Sequence, residues 1–92
     1  MTSTRPVSFN LGQVVITPTA KEAIPTYDIL AGLTRHQRGD WGIVSDADKE
    51  ANNLALESGD SILSVYMSGD TEFWIITECD RSATTILLPD EY

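Results

Sequence analysis

Cysteine and histidine are scarce in this sequence, which contains only Cys79 and His36 in 92 residues. A single cysteine cannot form an internal disulfide, and these two residues are too few for any standard zinc site. No apolar run approaches the roughly 20 residues that cross a bilayer, and the first residues lack the apolar segment of a signal peptide. We therefore expect a cytoplasmic protein without a metal, a cofactor or a membrane contact.

Basic residues are also few, since six Lys and Arg stand against fourteen Asp and Glu, giving a net charge of −8. The imbalance is uneven: residues 1–39 carry four basic and two acidic residues, and residues 40–92 carry two basic and twelve acidic ones. Such a field repels nucleic acid phosphates and speeds association with basic partners. We expect a protein partner and no direct nucleic-acid binding, although Arg35 and Arg38 form a small basic patch.

The composition, with 41% hydrophobic and 22% charged residues, is that of a globular protein. The length predicts one small domain over residues 1–92, with residues 1–6 frayed. Hydrophobic periodicity, caps and turn residues predict, in order, a strand, two to three short helices and three strands, at about residues 13–17, 20–24, 27–37, 46–58, 61–68, 71–78 and 83–88. This order predicts an α+β domain in which a C-terminal antiparallel three-strand meander packs against the helices.

Two features predict the packing of these elements. Gly69 and Asp70 separate two strand patterns, which is typical of a two-residue hairpin. If Ser68 faces Thr71, the expected pairs are Tyr66–Phe73, Val65–Trp74 and Leu63–Ile76. Residues 73–76 are apolar on both faces, which predicts an inner strand covered at least in part on both sides. Replacing Trp74 by Ala is then expected to cost about 3 to 5 kcal/mol. The apolar sides of the second and third helices are expected to be Ile29, Leu30, Leu33 and His36, and Ala47, Ala51, Leu54 and Ala55.

Several spaced patterns identify a resemblance that covers roughly residues 11–92. They are Leu-Gly-Gln-Val-Val, Arg-His-x-x-Gly-Asp-Trp-Gly (35–42), Asn-x-Ala-Leu (53–56), Trp-Ile-Ile-Thr-Glu-x-Asp-Arg-Ser-x-Thr-Thr (74–85) and Leu-Leu-Pro-x-Glu-Tyr. Together they resemble a family of short bacterial proteins encoded on plasmids, phages and genomic islands. The resemblance implies a setting, mobile DNA, and no biochemical activity. This chain has Cys79 where the family pattern implies a small apolar residue.

The polar cluster between the last two strands has two interpretations. Arg81 offers a planar fork of donors, and hydroxyl side chains at the end of a sheet could complete a phosphate or carboxylate site with Asp80, Arg81 and Ser82. Alternatively, Asp80 and Ser82 form hydrogen bonds within the turn, and Arg81 pairs with an acid such as Glu78.

His36 is the natural general base if the protein is an enzyme, because its ordinary pKa lies near neutrality. A helix with a histidine, followed by a sheet with Arg and Thr, is similar to small ribonucleases and mRNA-cleaving toxins of the barnase and RelE type. That hypothesis assigns catalysis to His36, Arg81, Thr84 and Thr85. In the alternative interpretation His36 is packed and hydrogen-bonded near the Gly-Asp-Trp loop.

Asp40 and Trp41 form a candidate binding loop, with Trp41 either an exposed anchor or a plug over the helix ends. The acidic residues of the third helix are either a solvated face or part of a surface that imitates a nucleic acid and occupies a host defence enzyme. The interpretation we favour is a non-enzymatic, acidic protein-interaction module encoded on mobile DNA. A homodimer through an edge strand is possible, and the ribonuclease is the alternative.

Overall fold

The computed structural model describes residues 9–92, so the segment 1–6 that was expected to fray lies outside the described residues. The described part contains four strands, three α-helices and one 3₁₀ turn: β1 (Gln13–Ile16), α1 (Pro18–Ala23), α2 (Thr26–Gln37), α3 (Asp46–Ser58), β2 (Ile62–Ser68), β3 (Thr71–Thr77), β4 (Ala83–Leu87) and the 3₁₀ turn Pro89–Glu91. This order confirms the predicted α+β class and its C-terminal meander.

The four strands form one sheet in the order β1-β4-β3-β2. β2 pairs with β3 and β3 with β4 in antiparallel register, and the predicted pairs Tyr66–Phe73 and Val65–Trp74 are both present. β3 is therefore an inner strand, as the apolar run predicted. β1 lies parallel to β4, with Gln13 opposite Ala83, so the sheet is mixed rather than purely antiparallel.

The helix starts follow from local capping. The Thr17 hydroxyl accepts a hydrogen bond from the Ala20 amide at 3.2 Å, and the Ser45 hydroxyl accepts one from the Asp48 amide at 3.1 Å. These bonds satisfy amides that have no partner within the helix. Helix α2 starts differently from the prediction: Thr26 is its first residue rather than its cap, and no side chain caps it.

All three helices pack on one face of the sheet. The larger core cluster joins α1 and α2 to this face, and the smaller one joins α3 and the loop before it; the buried members are Ala20, Ile24, Ile29, Tyr66, Phe73, Ile75 and Ile86, and Trp41, Ala55 and Ile62. Four predicted core positions are wrong: Ala47 and Ala51 are exposed, and Leu30 and Leu54 are 58% and 60% exposed. The helices turn smaller or polar residues inward instead, namely Gly32 and Asn52.

The outer edge of β2 is covered by groups that complete its hydrogen bonding. The Asn52 amide group donates to the Leu63 carbonyl at 2.7 Å and accepts from the Leu63 amide at 3.2 Å. Beyond it, the Val65 amide donates to the Trp41 carbonyl at 3.1 Å. At Gly42 an added Cβ would lie 1.9 Å from the Val65 carbonyl oxygen, so only glycine permits this close approach. The covered edge cannot recruit another strand.

Candidate functional site

The turn between β3 and β4 is built around Arg81, which has a left-handed backbone with φ of 62°. This conformation costs a residue with a side chain about 1 to 2 kcal/mol. The Arg81 guanidinium offsets that cost by donating to four backbone carbonyls, those of Ala55 at 2.9 Å, Asp60 at 2.7 Å, Glu78 at 3.1 Å and Cys79 at 3.2 Å. Arg81 thus ties the turn to the C-terminal end of α3.

This arrangement differs from both sequence interpretations of Arg81. Its donors are directed at backbone carbonyls, so they are neither presented to a phosphate nor paired with an acidic side chain. Asp80 accepts a hydrogen bond from the Ser82 amide at 2.9 Å, and its bonds to Ser82 lower the pKa of its carboxyl group. The pattern is that of an Asx turn, as the structural interpretation predicted for Asp80 and Ser82.

His36 lies at the centre of a buried hydrogen-bonded chain and is 0% exposed. Its Nδ1 is 2.5 Å from the Ser64 hydroxyl, and its Nε2 is 2.8 Å from the Thr77 hydroxyl. The chain continues from Thr77 to the Thr84 hydroxyl at 2.7 Å, which donates to the Leu11 carbonyl at 2.7 Å. A single network therefore links α2, three strands and the segment before β1.

Aromatic rings enclose this histidine. The centroids of Phe9 and Trp41 lie 5.3 Å and 5.9 Å from that of the imidazole. Burial, and secondarily the positive charge of Arg81, lowers the pKa of His36 from 6.5 to about 4. The Arg81 guanidinium lies 5.8 Å from the centroid of the Phe9 ring, so Phe9 contacts both groups. His36 and Arg81 therefore do not meet in an open cleft.

The other two residues of the ribonuclease hypothesis lie on opposite faces of the sheet. Thr84 faces the helices and is fully buried within the His36 network. Thr85, the next residue of β4, therefore points to the opposite face. The four residues assigned to catalysis thus do not converge on one site.

The Asp40–Trp41 loop is a structural plug. Trp41 is 4% exposed, and its indole nitrogen donates to the Asn53 side chain at 3.0 Å. The expectation of an exposed aromatic anchor at Trp41 is therefore wrong. Asp40 accepts bonds from the Arg35 guanidinium at 2.8 and 3.3 Å, which lowers the pKa of its carboxyl group.

The sheet face opposite the helices is covered in part, as predicted for the inner strand, but it was not identified from the sequence as a binding surface. It presents the alternate residues of the inner strands, including Trp74 and Ile76 of β3 and Leu87 of β4. Within residues 9–92, the C-terminal residues Pro89–Tyr92 give this face partial cover, and the Tyr92 ring lies 5.5 Å from that of Trp74. We call it the uncovered face, because none of the described α-helices packs on it. The alternation Glu-x-Trp-x-Ile-x-Glu along residues 72–78 is the signal that could have identified it.

A cleft of about 260 Å³ opens on the uncovered face. It combines an aliphatic floor, hydroxyl groups and one carboxylate, and its lining residues are Ser61, Ile76, Glu78, Thr85, Leu87 and Tyr92. None of the four strands, nor the 3₁₀ turn, contains a Lys or Arg. Among the residues of these strands, the charged ones beside the apolar centre are acidic, as Glu72 is, and Glu78 follows directly after β3.

Residues 9–92 contain no group of three His, Cys, Asp or Glu side chains placed to hold a metal ion. Among the helices of the same residues, none has the length and apolar character needed to span a membrane. Cys79 is exposed and unpaired.

Comparisons with protein-family models, curated proteins and solved structures gave no match for this chain. The resemblance to plasmid and phage proteins therefore stays a prediction.

Proposed function

We propose that this protein is a non-enzymatic interaction module that binds a basic surface of another protein through its uncovered face. The observation that carries the proposal is the combination on this face of half-buried apolar side chains, around Trp74 and Ile76, with carboxylates, on strands that contain no Lys or Arg. Protein interfaces commonly have an apolar, aromatic-rich centre and a polar rim.

Charge selects the class of partner. A net charge of −8 attracts a basic surface over long range and raises the association rate, particularly at low ionic strength. A symmetric dimer through the same face would place like charges opposite one another, which disfavours a second copy as the occupant.

The cellular setting of this proposal is cytoplasmic and linked to mobile DNA. In that setting a host enzyme that binds nucleic acid offers a basic surface of the required kind. Occupying that surface would make the protein a nucleic-acid mimic. The ribonuclease alternative lacks comparable support, because His36 is enclosed and the Arg81 guanidinium is engaged by backbone carbonyls.

Capture from a bacterial lysate tests the proposal when two matched variants are compared with the wild type. Trp74→Thr removes the aromatic centre while retaining a residue that suits a strand. Leu54→Gln removes an exposed apolar side chain on α3, which lies in the helical layer. We expect wild type and Leu54→Gln to capture the same basic protein, and Trp74→Thr to lose it.

Raising the salt concentration should weaken the capture, and duplex DNA should compete for the captured protein if the mimic version holds. Circular dichroism confirms that both variants are folded. Equal capture by all three proteins would exclude the uncovered face as the binding surface. Sedimentation showing a dimer that Trp74→Thr abolishes would favour a second copy instead.

A further inference from the structure

The cleft on the uncovered face has an apolar part and a negatively charged part. Ile76 and Leu87 supply an aliphatic floor, whereas Glu78 supplies a carboxylate. Hydroxyl groups of Ser61, Thr85 and Tyr92 complete the lining. A ligand that fills this space must offer both an aliphatic segment and a group that a carboxylate accepts.

The Glu78 carboxylate has no cation of its own within the described residues. The ion pair found in residues 9–92 joins Arg35 to Asp40. Arg81 lies three residues from Glu78, but its guanidinium donates to the Glu78 backbone carbonyl and to the carbonyls of Ala55 and Asp60. Glu78 is exposed, so its charge is available to a partner.

The geometry points to a binding site for a single cationic side chain, Lys or Arg, projecting from a basic segment of a partner protein. This inference rests on the proposed function and identifies where a basic partner would be held. Both side chains have an aliphatic stem that packs along apolar surface and a charged end that stays near water. The stem would lie on Ile76 and Leu87, and the charged end would meet Glu78.

Tyr92 would add to the preference of the cleft for a cationic side chain. Tyr92 lines the cleft, and its ring lies 5.5 Å from that of Trp74 at an angle of 57°, so an aromatic ring is available to a guanidinium or ammonium group. A neutral aliphatic side chain would desolvate Glu78 without pairing it, which is unfavourable. An acidic group would be repelled by the Glu78 carboxylate, and the strands of this face contain no Lys or Arg to offset the repulsion.

Titration with small model compounds tests the site without knowledge of the partner. The probes are N-acetyl-arginine amide and N-acetyl-lysine amide, and the neutral control is N-acetyl-citrulline amide, which keeps the shape of arginine. Amide chemical shifts of the ¹⁵N-labelled protein report binding. We expect the cationic probes to shift the amides around Ile76, Glu78 and Leu87, and citrulline to shift them far less.

Two variants with the same change in net charge distinguish binding in the cleft from a general attraction of cations to an acidic protein. Glu78→Gln should weaken binding of the preferred cation about two- to fivefold, the range of a partly exposed ion pair. Glu57→Gln on α3 should leave it unchanged. Shifts spread over acidic residues throughout the chain, or equal weakening by both variants, would overturn the cleft as a specific site.

The two proposals can fail separately. Capture that depends on Trp74, together with no response of the cleft to either cation, would refute the cleft and leave the proposed function standing. Cation binding that depends on Glu78, together with capture that ignores Trp74, would refute the proposed function and leave the cleft standing.

Discussion

The buried His36 leads us to expect a loss of stability in mildly acidic solution. In the unfolded chain this histidine has a pKa near 6.5, whereas in the folded protein burial lowers the pKa to about 4. Between these values the unfolded state binds a proton that the folded state does not. The free energy of unfolding therefore falls as the pH is lowered from 6.5 toward 4.

The size of this effect follows from the same shift. A pKa lowered from 6.5 to about 4 corresponds to a loss of roughly 3 kcal/mol once the pH is below the folded value. Protonation would also place a charge among Phe9, Trp41 and two hydroxyls, with no carboxylate among the ring's hydrogen-bonding partners. The lowered carboxyl pKa values of Asp40, Asp80 and Glu91 also reduce stability as the pH falls, mainly below about pH 5, and this part is common to the wild type and any His36 variant.

Urea unfolding followed by tryptophan fluorescence, at half-unit steps from pH 7 to 4, measures this dependence. His36→Gln is the matched variant, because its neutral amide keeps polar groups near Ser64 and Thr77 and does not titrate. The free energy of unfolding of His36→Gln should fall less steeply between pH 6.5 and 4 than that of the wild type, whatever its value at pH 7. Identical slopes in the two proteins, or an NMR titration of the His36 ring with a midpoint near 6.5, would refute the reasoning.

Three further predictions concern stability, each measured by urea unfolding. Phe73→Ala should cost about 3 to 5 kcal/mol because Phe73 is 1% exposed in the core, and Trp74→Ala only about 1 to 2, because Trp74 faces the uncovered side. Asn52→Ala should cost about 1 to 3 kcal/mol by leaving the Leu63 amide and carbonyl unpaired, and light scattering should show greater aggregation through the opened edge. Arg81→Gly should be more stable than Arg81→Ala by about 1 kcal/mol, because both lose the guanidinium but only glycine tolerates a φ of 62° without strain.

These three comparisons can each fail clearly. Equal losses for Phe73→Ala and Trp74→Ala would mean that both faces of β3 are covered. An unchanged stability and solubility of Asn52→Ala would show that its amide group does not protect β2. Equal stability of the two Arg81 variants would argue against backbone strain in this turn.

The order of the elements and the register of β2 with β3 could be predicted because both depend on local sequence. Gly69 and Asp70 fix the hairpin, and the side-chain alternation then fixes every pair along it. The parallel pairing of β1 with β4 could not be predicted in this way, since it joins segments about 70 residues apart and no turn residue encodes it.

The faces of the helices were harder to predict for a related reason. Leu30 and Leu54 fit a helical apolar stripe but are exposed, whereas Asn52 faces inward because it completes the edge of β2. Apolar periodicity cannot identify a buried polar residue whose side-chain amide forms hydrogen bonds with the edge of a strand. The partial cover of the uncovered face was predicted, but its use as a binding surface was not, because an apolar run does not reveal how much of each face the rest of the chain covers.

The parallel pair of β1 and β4 also has a consequence for the order of folding. β1 is made early, but within the described residues its strand partner is the last strand of the sheet. On the ribosome the helices and the β2–β3 hairpin can therefore form before β1 has anything to pair with. Completion of the sheet must wait for residues 83–87, because β4 pairs with both β1 and β3. A nascent chain stalled before Ala83 would leave β1 without its neighbour and open to competing partners.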